Sequence, residues 1–169
     1  MPLVSVIMSV YNGDKHLEES LSSVINQSFS DWELVIVNDF SKDNSRKIIQ
    51  RAMRGDERIR CIENKNNLGL AASLNLAIQE SSGQYIARMD DDDIALPYRL
   101  EKQVAYLKVN KHVGVVGGCA ELIGAKNGMR RHAEKDIDIK NRTLFSCQFC
   151  HPTTVIRREL LEQSGIRYD

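Results

Sequence analysis

Four aspartates follow one another in RMDDDDI (88–94): Asp90, Asp91, Asp92 and Asp93. Carboxylates this close repel by about 3 kcal/mol per pair at ~5 Å and an effective dielectric near 20. Either the run lies in water or a bound partner offsets the repulsion. Asp-x-Asp spacing, here Asp90 and Asp92, lets two side chains on a turn face one ligand, one reaching a metal and the other a hydroxyl. A hard divalent cation, Mg²⁺ or Mn²⁺, takes oxygen ligands and often binds through one or two carboxylates plus substrate phosphates. Two further stretches carry compatible chemistry: Ser9-Val10-Tyr11-Asn12 and Asn38-Asp39-Phe40-Ser41. A ring at Tyr11 can stack on a nucleobase, and Asp39 can accept a hydrogen bond from a base N–H. Each piece also has a plain structural reading. Tyr11 with Asn12-Gly13 can be a turn with a packed ring, Asp39 and Ser41 can cap a helix, and an acidic run is usually a solvated loop. Their joint placement decides between the two.

That placement follows from the elements around them. LVSVIMSV (3–10) is a short β-branched run and reads as a buried strand. After Gly13, Leu17, Leu21, Val24 and Ile25 make the stripe of an amphipathic helix. WELVIV (32–37) predicts a second strand, and Ser45 is placed to cap a helix carrying Ile48, Ile49, Ala52 and Met53 on one face. RIRCIE (58–63) alternates like a third strand. Leu70, Ala71, Leu74, Ala77 and Ile78 then fall at helical spacing. QYIARM (84–89) predicts a fourth strand, and Pro97 suits the first turn of a helix whose core face is Leu100, Val104 and Leu107. Four β-α repeats on short connections imply an α/β fold with a largely parallel sheet and helices on both faces. Beyond Val113 the rhythm loosens: VGVVGGCAELIG (113–124) reads as strand with glycine bends, and Asn127-Gly128 as a hairpin turn. TTVIRRELLEQSG (153–165) restores strand then helix, with Gly165 as a stop. In an open parallel sheet ligands bind outside the carboxyl ends of the strands. Tyr11, Asp39 and the aspartate run all fall at such ends, so the three stretches are expected along one edge.

The bulk numbers narrow the partners. A chain of 169 residues suits one domain with a proper core, and 42% hydrophobic with 27% charged residues is ordinary globular composition. Lys plus Arg and Asp plus Glu both count 23, which argues against a nucleic-acid partner. No apolar stretch approaches 18 residues, and MPLVSVIMSV lacks the charged flank of a signal peptide, so a cytoplasmic setting is expected. The four cysteines fit that setting as reduced, buried thiols. Cys147-x-x-Cys150 with the adjoining His151 lacks the second pair that a zinc site wants. Neither Gly-x-x-x-x-Gly-Lys-Ser/Thr nor Gly-x-Gly-x-x-Gly follows a strand, which excludes a P-loop NTPase and a dinucleotide dehydrogenase.

Three segments resemble the family 2 glycosyltransferases, inverting enzymes of the GT-A fold. They are VSVIMSVYNGDKHLEESLSSVINQSFSDWELVIVNDFSKDNS, NNLGLAASLNLAI and GQYIARMDDDDIALPYRLEKQ, which cover residues 4–103 almost without a gap, with HPTTVIRRELLEQSG a weaker match. The resemblance implies a Rossmann-like, mostly parallel sheet that becomes mixed towards the C-terminal part. It also implies a nucleotide-sugar donor, commonly a UDP-sugar, and a divalent metal, Mn²⁺ or Mg²⁺. Carried over by position, Ser9 and Tyr11 lie where the family contacts nucleobase and ribose, and Asp39 matches the acid that recognises the base. Asp90 matches the first acid of the Asp-x-Asp motif, near the ribose and the metal. Asp92 matches the second, the metal ligand, and Asp91 fills the variable middle position of the donor site. Phe40 replaces the glycine of the family's Asp-Gly-Ser, which puts the path of that loop in question. The resemblance further suggests bacterial surface polysaccharide assembly, with a saccharide or lipid-linked acceptor and peripheral association with the inner face of the membrane. Residues 1–110 are then expected to form a donor-binding half and 111–169 the start of an acceptor half, C-terminally truncated. The family's catalytic base follows the GIRYD-like segment, so no catalytic residue is assigned. Two alternatives stand beside this reading: a nucleotidyltransferase making a sugar nucleotide, for which YNGDKH is a poor triphosphate loop, and a non-catalytic nucleotide-binding fragment.

Overall fold

The computed structural model describes residues 1–124 and 127–169. Its first half is a run of strand–helix units: β1 (Val4–Val10), α1 (Leu17–Ile25), β2 (Trp32–Asn38), α2 (Ser45–Gly55), β3 (Ile59–Glu63), α3 (Leu70–Glu80), β4 (Tyr85–Arg88) and α4 (Arg99–Val109). Short elements follow: β5 (Val115–Val116), β6 (Ala120–Leu122), β7 (Gly128–Arg130), α5 (Asp136–Thr143), a 3₁₀ turn (His151–Thr153), β8 (Val155–Arg157) and α6 (Arg158–Ser164).

One six-stranded sheet has the order β3-β2-β1-β4-β8-β5. β1 to β4 run parallel, and β8 inserts antiparallel between β4 and β5, pairing Ile86 with Ile156 and Val116 with Val155. The sheet is therefore mixed on its C-terminal side, as expected. The chain steps outward from β1 to β3 and then returns to lay β4 on the other flank of β1. That reversal makes the β1/β4 boundary a topological switch point, where connections diverge and leave a crevice beyond the strand ends.

Helices cover both sheet faces, so the central strands bury both side-chain rows and read as near-continuous apolar runs. Val4, Val6, Met8, Leu34 and Ile36 pack with Leu17, Leu21, Ile49, Leu100, Val104 and Leu107 of α1, α2 and α4. Ile7, Val35 and Val37 pack on the opposite face with Leu74, Ala77 and Ile78 of α3 and Leu161 of α6. Each such side chain contributes roughly 1.5–3 kcal/mol on burial.

Several local expectations are corrected. Asn44 rather than Ser45 is the N-cap of α2; Ser45 is the first helical residue, and its hydroxyl turns to the Gly13 amide at 3.0 Å. Met53 and Leu70 lie on their helices but face solvent. Pro97 precedes α4 by two residues instead of entering its first turn. Gly128 pairs with Leu122 as the first residue of β7, so Asn127-Gly128 sits at the foot of the hairpin; two of the residues joining β6 and β7, Ala125 and Lys126, lie outside the described residues. Gly165 ends α6 with φ +66°, the left-handed cap a glycine adopts without a Cβ clash.

Candidate functional site

The carboxyl ends of β1, β2 and β4 are stitched together by the backbone. The Asp39 amide donates to Val10 O at 2.8 Å and the Met89 amide to Ile7 O at 3.0 Å. The residues singled out in sequence thus share one sheet edge at the switch point. Ser9 is half-buried beside Val37 on β2, and Tyr11, one residue past β1, leaves 52% of its surface exposed. The residue is therefore not packed away within a turn.

Loops 11–14 and 40–45 are laced to each other. The Asn12 amide donates to Ser41 Oγ at 3.1 Å, Asp14 N–H to Asp43 Oδ2 at 2.9 Å, and Lys42 N–H returns to Asn12 Oδ1 at 2.8 Å. Asn12 (φ +53°) and Phe40 (φ +66°) both hold the left-handed conformation. Phe40 therefore takes a backbone geometry suited to glycine, at a cost of about 1–2 kcal/mol. The Lys42 ammonium sits 3.3 Å from the Phe40 ring centroid. This lacing is invisible in sequence, where Asn, Asp and Ser only signal a turn.

Asp39 is 1% exposed. Its Oδ1 accepts from Asn64 Nδ2 at 2.7 Å and the Leu68 amide at 2.8 Å, and its Oδ2 accepts from the Gly69 amide at 2.8 Å. Burial acts to raise its pKa, but these donors outweigh it and hold the carboxyl below its ordinary value. Asp39 caps no helix after β2; it pins the loop that leads into α3. The Ser73 hydroxyl also acts on this carboxylate and helps to lower its pKa.

The aspartate run separates by environment. Asp90 is gripped by Arg88, Nε to Oδ1 at 2.8 Å and Nη2 to Oδ2 at 3.2 Å, and the Ser20 hydroxyl donates to its backbone oxygen at 3.0 Å. Asp91 leans against Gly13, where an added Cβ would overlap its carboxylate and meet Cγ at 3.0 Å. Burial, with Asp92 and Asp90 nearby, pushes its pKa up to about 6. Asp92 is exposed, and among the described residues no hydrogen bond or ion pair engages its carboxylate. Asp93 is half-buried; burial and the neighbouring Asp90 and Asp92 raise its pKa against Arg99 and Arg88. Arg99 donates to Arg88 O at 2.8 Å and to Gln103 Oε1 at 3.2 Å; burial lowers its pKa to about 10, so it stays cationic at neutral pH. Two arginines from the chain itself thus offset part of the crowding. Sequence reasoning passed over both, although Arg88 directly precedes the run by two positions.

The thiols differ from expectation. Cys119 and Cys147 are exposed and Cys61 and Cys150 half-buried, all four unpaired. His151 is exposed as well, with Nδ1 3.4 Å from Arg88 Nη1 and Nε2 3.1 Å from Cys147 Sγ. Among the described residues no group of three or more His, Cys, Asp or Glu side chains converges to hold a metal alone, and no helix is long and apolar enough to cross a membrane.

The model of the family described as Glycosyl transferase family 2 matches residues 5–165. The chain belongs to that family. Among its relatives it is 48% identical over 117 residues to the putative glycosyltransferase EpsE of Bacillus subtilis, covering 69% of this chain and 42% of that protein. It is 32% identical over 160 residues to the UDP-Glc:alpha-D-GlcNAc-diphosphoundecaprenol beta-1,3-glucosyltransferase WfgD of Escherichia coli, covering 94% and 62%. The S. aureus TarS 1-349 structure in complex with UDP superposes with a TM-score of 0.85 at 23% identity, over 100% of this chain and 50% of that one. The mannosyltransferase PcManGT of Pyrobaculum calidifontis, in complex with GDP-Man and Mn²⁺, gives 0.73 at 23%, over 97% and 47%. These likenesses show a shared fold, the GT-A arrangement expected from sequence. The family 2 chain spans about half the length of the relatives it matches.

Proposed function

We propose that this family 2 chain carries the donor site of a glycosyltransferase that moves a sugar from a UDP-sugar to an acceptor hydroxyl with inversion, aided by Mn²⁺ or Mg²⁺. The observation that carries the reading is the meeting of an exposed ring, a buried acid and a graded aspartate cluster at the switch point. In this reading Tyr11 stacks on the base and Ser9 lies near the nucleoside. Asp39 lies where a base N–H is read, Asp90 faces the ribose, and Asp91 buttresses the Tyr11 loop. Asp92, exposed and unbonded, meets the cation. The oxygen-only donor set suits a hard divalent ion held by one or two carboxylates together with donor phosphates. When bound, such an ion supplies charge neutralisation to the departing diphosphate. The acceptor oxygen attacks the anomeric carbon opposite that leaving group as a carboxylate base removes its proton. Residues 1–110 form the donor half and 111–169 belong to the acceptor half.

TarS in complex with UDP and PcManGT with GDP-Man and Mn²⁺ support a nucleotide-sugar donor, and WfgD and the putative teichuronic acid biosynthesis glycosyltransferase TuaG support a role in bacterial surface polysaccharides. In this reading the acceptor is a lipid-linked or other saccharide at the inner membrane face. A nucleotidyltransferase would need free amides after β1 for a triphosphate. Here the Asn12, Gly13 and Asp14 amides are all taken by Ser41, Ser45 and Asp43, which favours transfer of a sugar. Calorimetric titration with UDP, with and without Mn²⁺, tests the reading. Mn²⁺-dependent binding that Asp92→Ala abolishes is expected; equal affinity in all four combinations refutes it.

A further inference from the structure

Arg88 ends β4, in the middle of the sheet, with only 6% of its surface exposed. A buried cation is costly unless its partners compensate, so those partners indicate its purpose. They come from both halves of the chain. Its fork takes both oxygens of Asp90, at 2.8 and 3.2 Å, while its Nη1 lies 3.4 Å from His151 Nδ1. Its guanidinium carbon is 5.5 Å from the ring centroid of Tyr168, which Asn75 of α3 clasps through both backbone groups at 2.8 and 3.0 Å. Asp92, two residues beyond Asp90, has no such partner among the described residues. The two acids of the alternating pair therefore differ in how far their charge is already matched.

We propose that Arg88 is a positioning residue, whose bidentate hold keeps Asp90 turned to the nucleoside and withholds it from the cation, leaving Asp92 as the main protein ligand. This rests on the donor-site reading above. A carboxylate with both oxygens in an arginine fork has a fixed plane and a neutralised charge, which makes it a precise hydrogen-bond acceptor and a poor metal ligand. Because His151 and Tyr168 also touch Arg88, the set of Asp90 depends on where the segment after residue 150 lies.

Two titrations test the proposal: Mn²⁺ alone, and UDP in the presence of Mn²⁺. They are run on the wild type, Arg88→Met, Arg88→Lys, Asp90→Asn and the Arg88→Met/Asp90→Asn pair. Arg88→Met is expected to weaken UDP about tenfold, the loss of one charge-assisted contact. It should tighten Mn²⁺ alone several-fold, because a released Asp90 joins Asp92. Arg88→Lys, which keeps the charge without the fork, recovers part of the UDP affinity. In the Asp90→Asn background Arg88→Met changes UDP affinity less than about twofold, the non-additivity of residues acting through one another. Arg88 variants matching the wild type overturn the proposal, as does parallel weakening of UDP and Mn²⁺, which marks a merely structural role. A wild type that binds no UDP with Mn²⁺ removes the donor-site reading and this proposal with it. Normal wild-type binding with unresponsive Arg88 variants removes the proposal alone.

Discussion

Asp39→Asn separates what this carboxylate does for the fold from what it does for a ligand. Asp39 is fully inside, and its two oxygens receive the Leu68 and Gly69 amides and the Asn64 side chain at 2.7–2.8 Å. An amide in its place keeps one accepting oxygen and sets an N–H₂ group against a backbone N–H donor. One hydrogen bond to an ion is lost outright, worth roughly 1.5–3 kcal/mol, and the remaining two lose their charge assistance. We expect a net destabilisation of about 3 kcal/mol, which for a chain this size lowers Tm by roughly 6–12 °C. The loss should appear without nucleotide, in urea unfolding followed by circular dichroism at pH 7. Acid provides the control. The folded carboxyl titrates below its ordinary value of 3.8, so its stabilisation is present above that pH and disappears as pH falls through the lower folded value. The gap between wild type and variant should close accordingly. A gap under about 1 kcal/mol at pH 7, or one that persists unchanged in acid, refutes the idea that this acid anchors the loop before α3.

Three further outcomes are expected. Asp91 carries a carboxyl raised from 3.8 to about 6 by burial and its acidic neighbours, so metal-free protein is favoured below pH ~4 and loses that advantage as pH rises through 6. The shift corresponds to ~3 kcal/mol before solvent screening and about 1–2 kcal/mol after it. Asp91→Asn should therefore stabilise the metal-free chain at pH 7 and flatten its pH–stability curve between 4 and 6. Phe40→Gly should be more stable than Phe40→Ala by about 1 kcal/mol in chemical denaturation, because φ +66° penalises any Cβ; the reverse order would contradict the left-handed assignment. Arg157 is buried and donates to the carbonyls of Val113 at 2.7 Å and Asn110 at 3.1 Å, and also to Leu107, around the C-terminal end of α4. Arg157→Leu should cost about 3 kcal/mol in the same assay by stranding those acceptors; a loss below 1 kcal/mol would show that water replaces the guanidinium freely.

Much of residues 3–109 is legible in the sequence because its signals are local. The β-branched runs ending at Val10 and Val37 are apolar along one face and carry only Ser5, Ser9 and Glu33 among the other face's residues, a pattern that suits strands covered on both sides. Leu100, Val104 and Leu107 recur at helical spacing and are all buried. Strand ends followed by Tyr11, Asp39 and Asp90 are enough to place the site at one edge once the sheet is known to be parallel. The later residues are less legible. β8 reaches across from residue 155 to pair antiparallel with β4, and nothing in a three-residue strand announces its neighbour.

By itself, then, the sequence determined the parallel β1–β4 core, the family and the residue types gathered at the sheet edge, since hydrophobic period and strand-end chemistry are properties of neighbouring positions. Only the tertiary structure decided how each acid is held. Asp39 is held by a loop some thirty residues on, Asp90 by an arginine that also meets His151 and Tyr168, and Asp91 by the bare face of Gly13. Asp92 alone was left to solvent. Four identical side chains in a row acquire different surroundings because their burial, and contacts such as that of Gly13 with Asp91, depend on segments the sheet brings together.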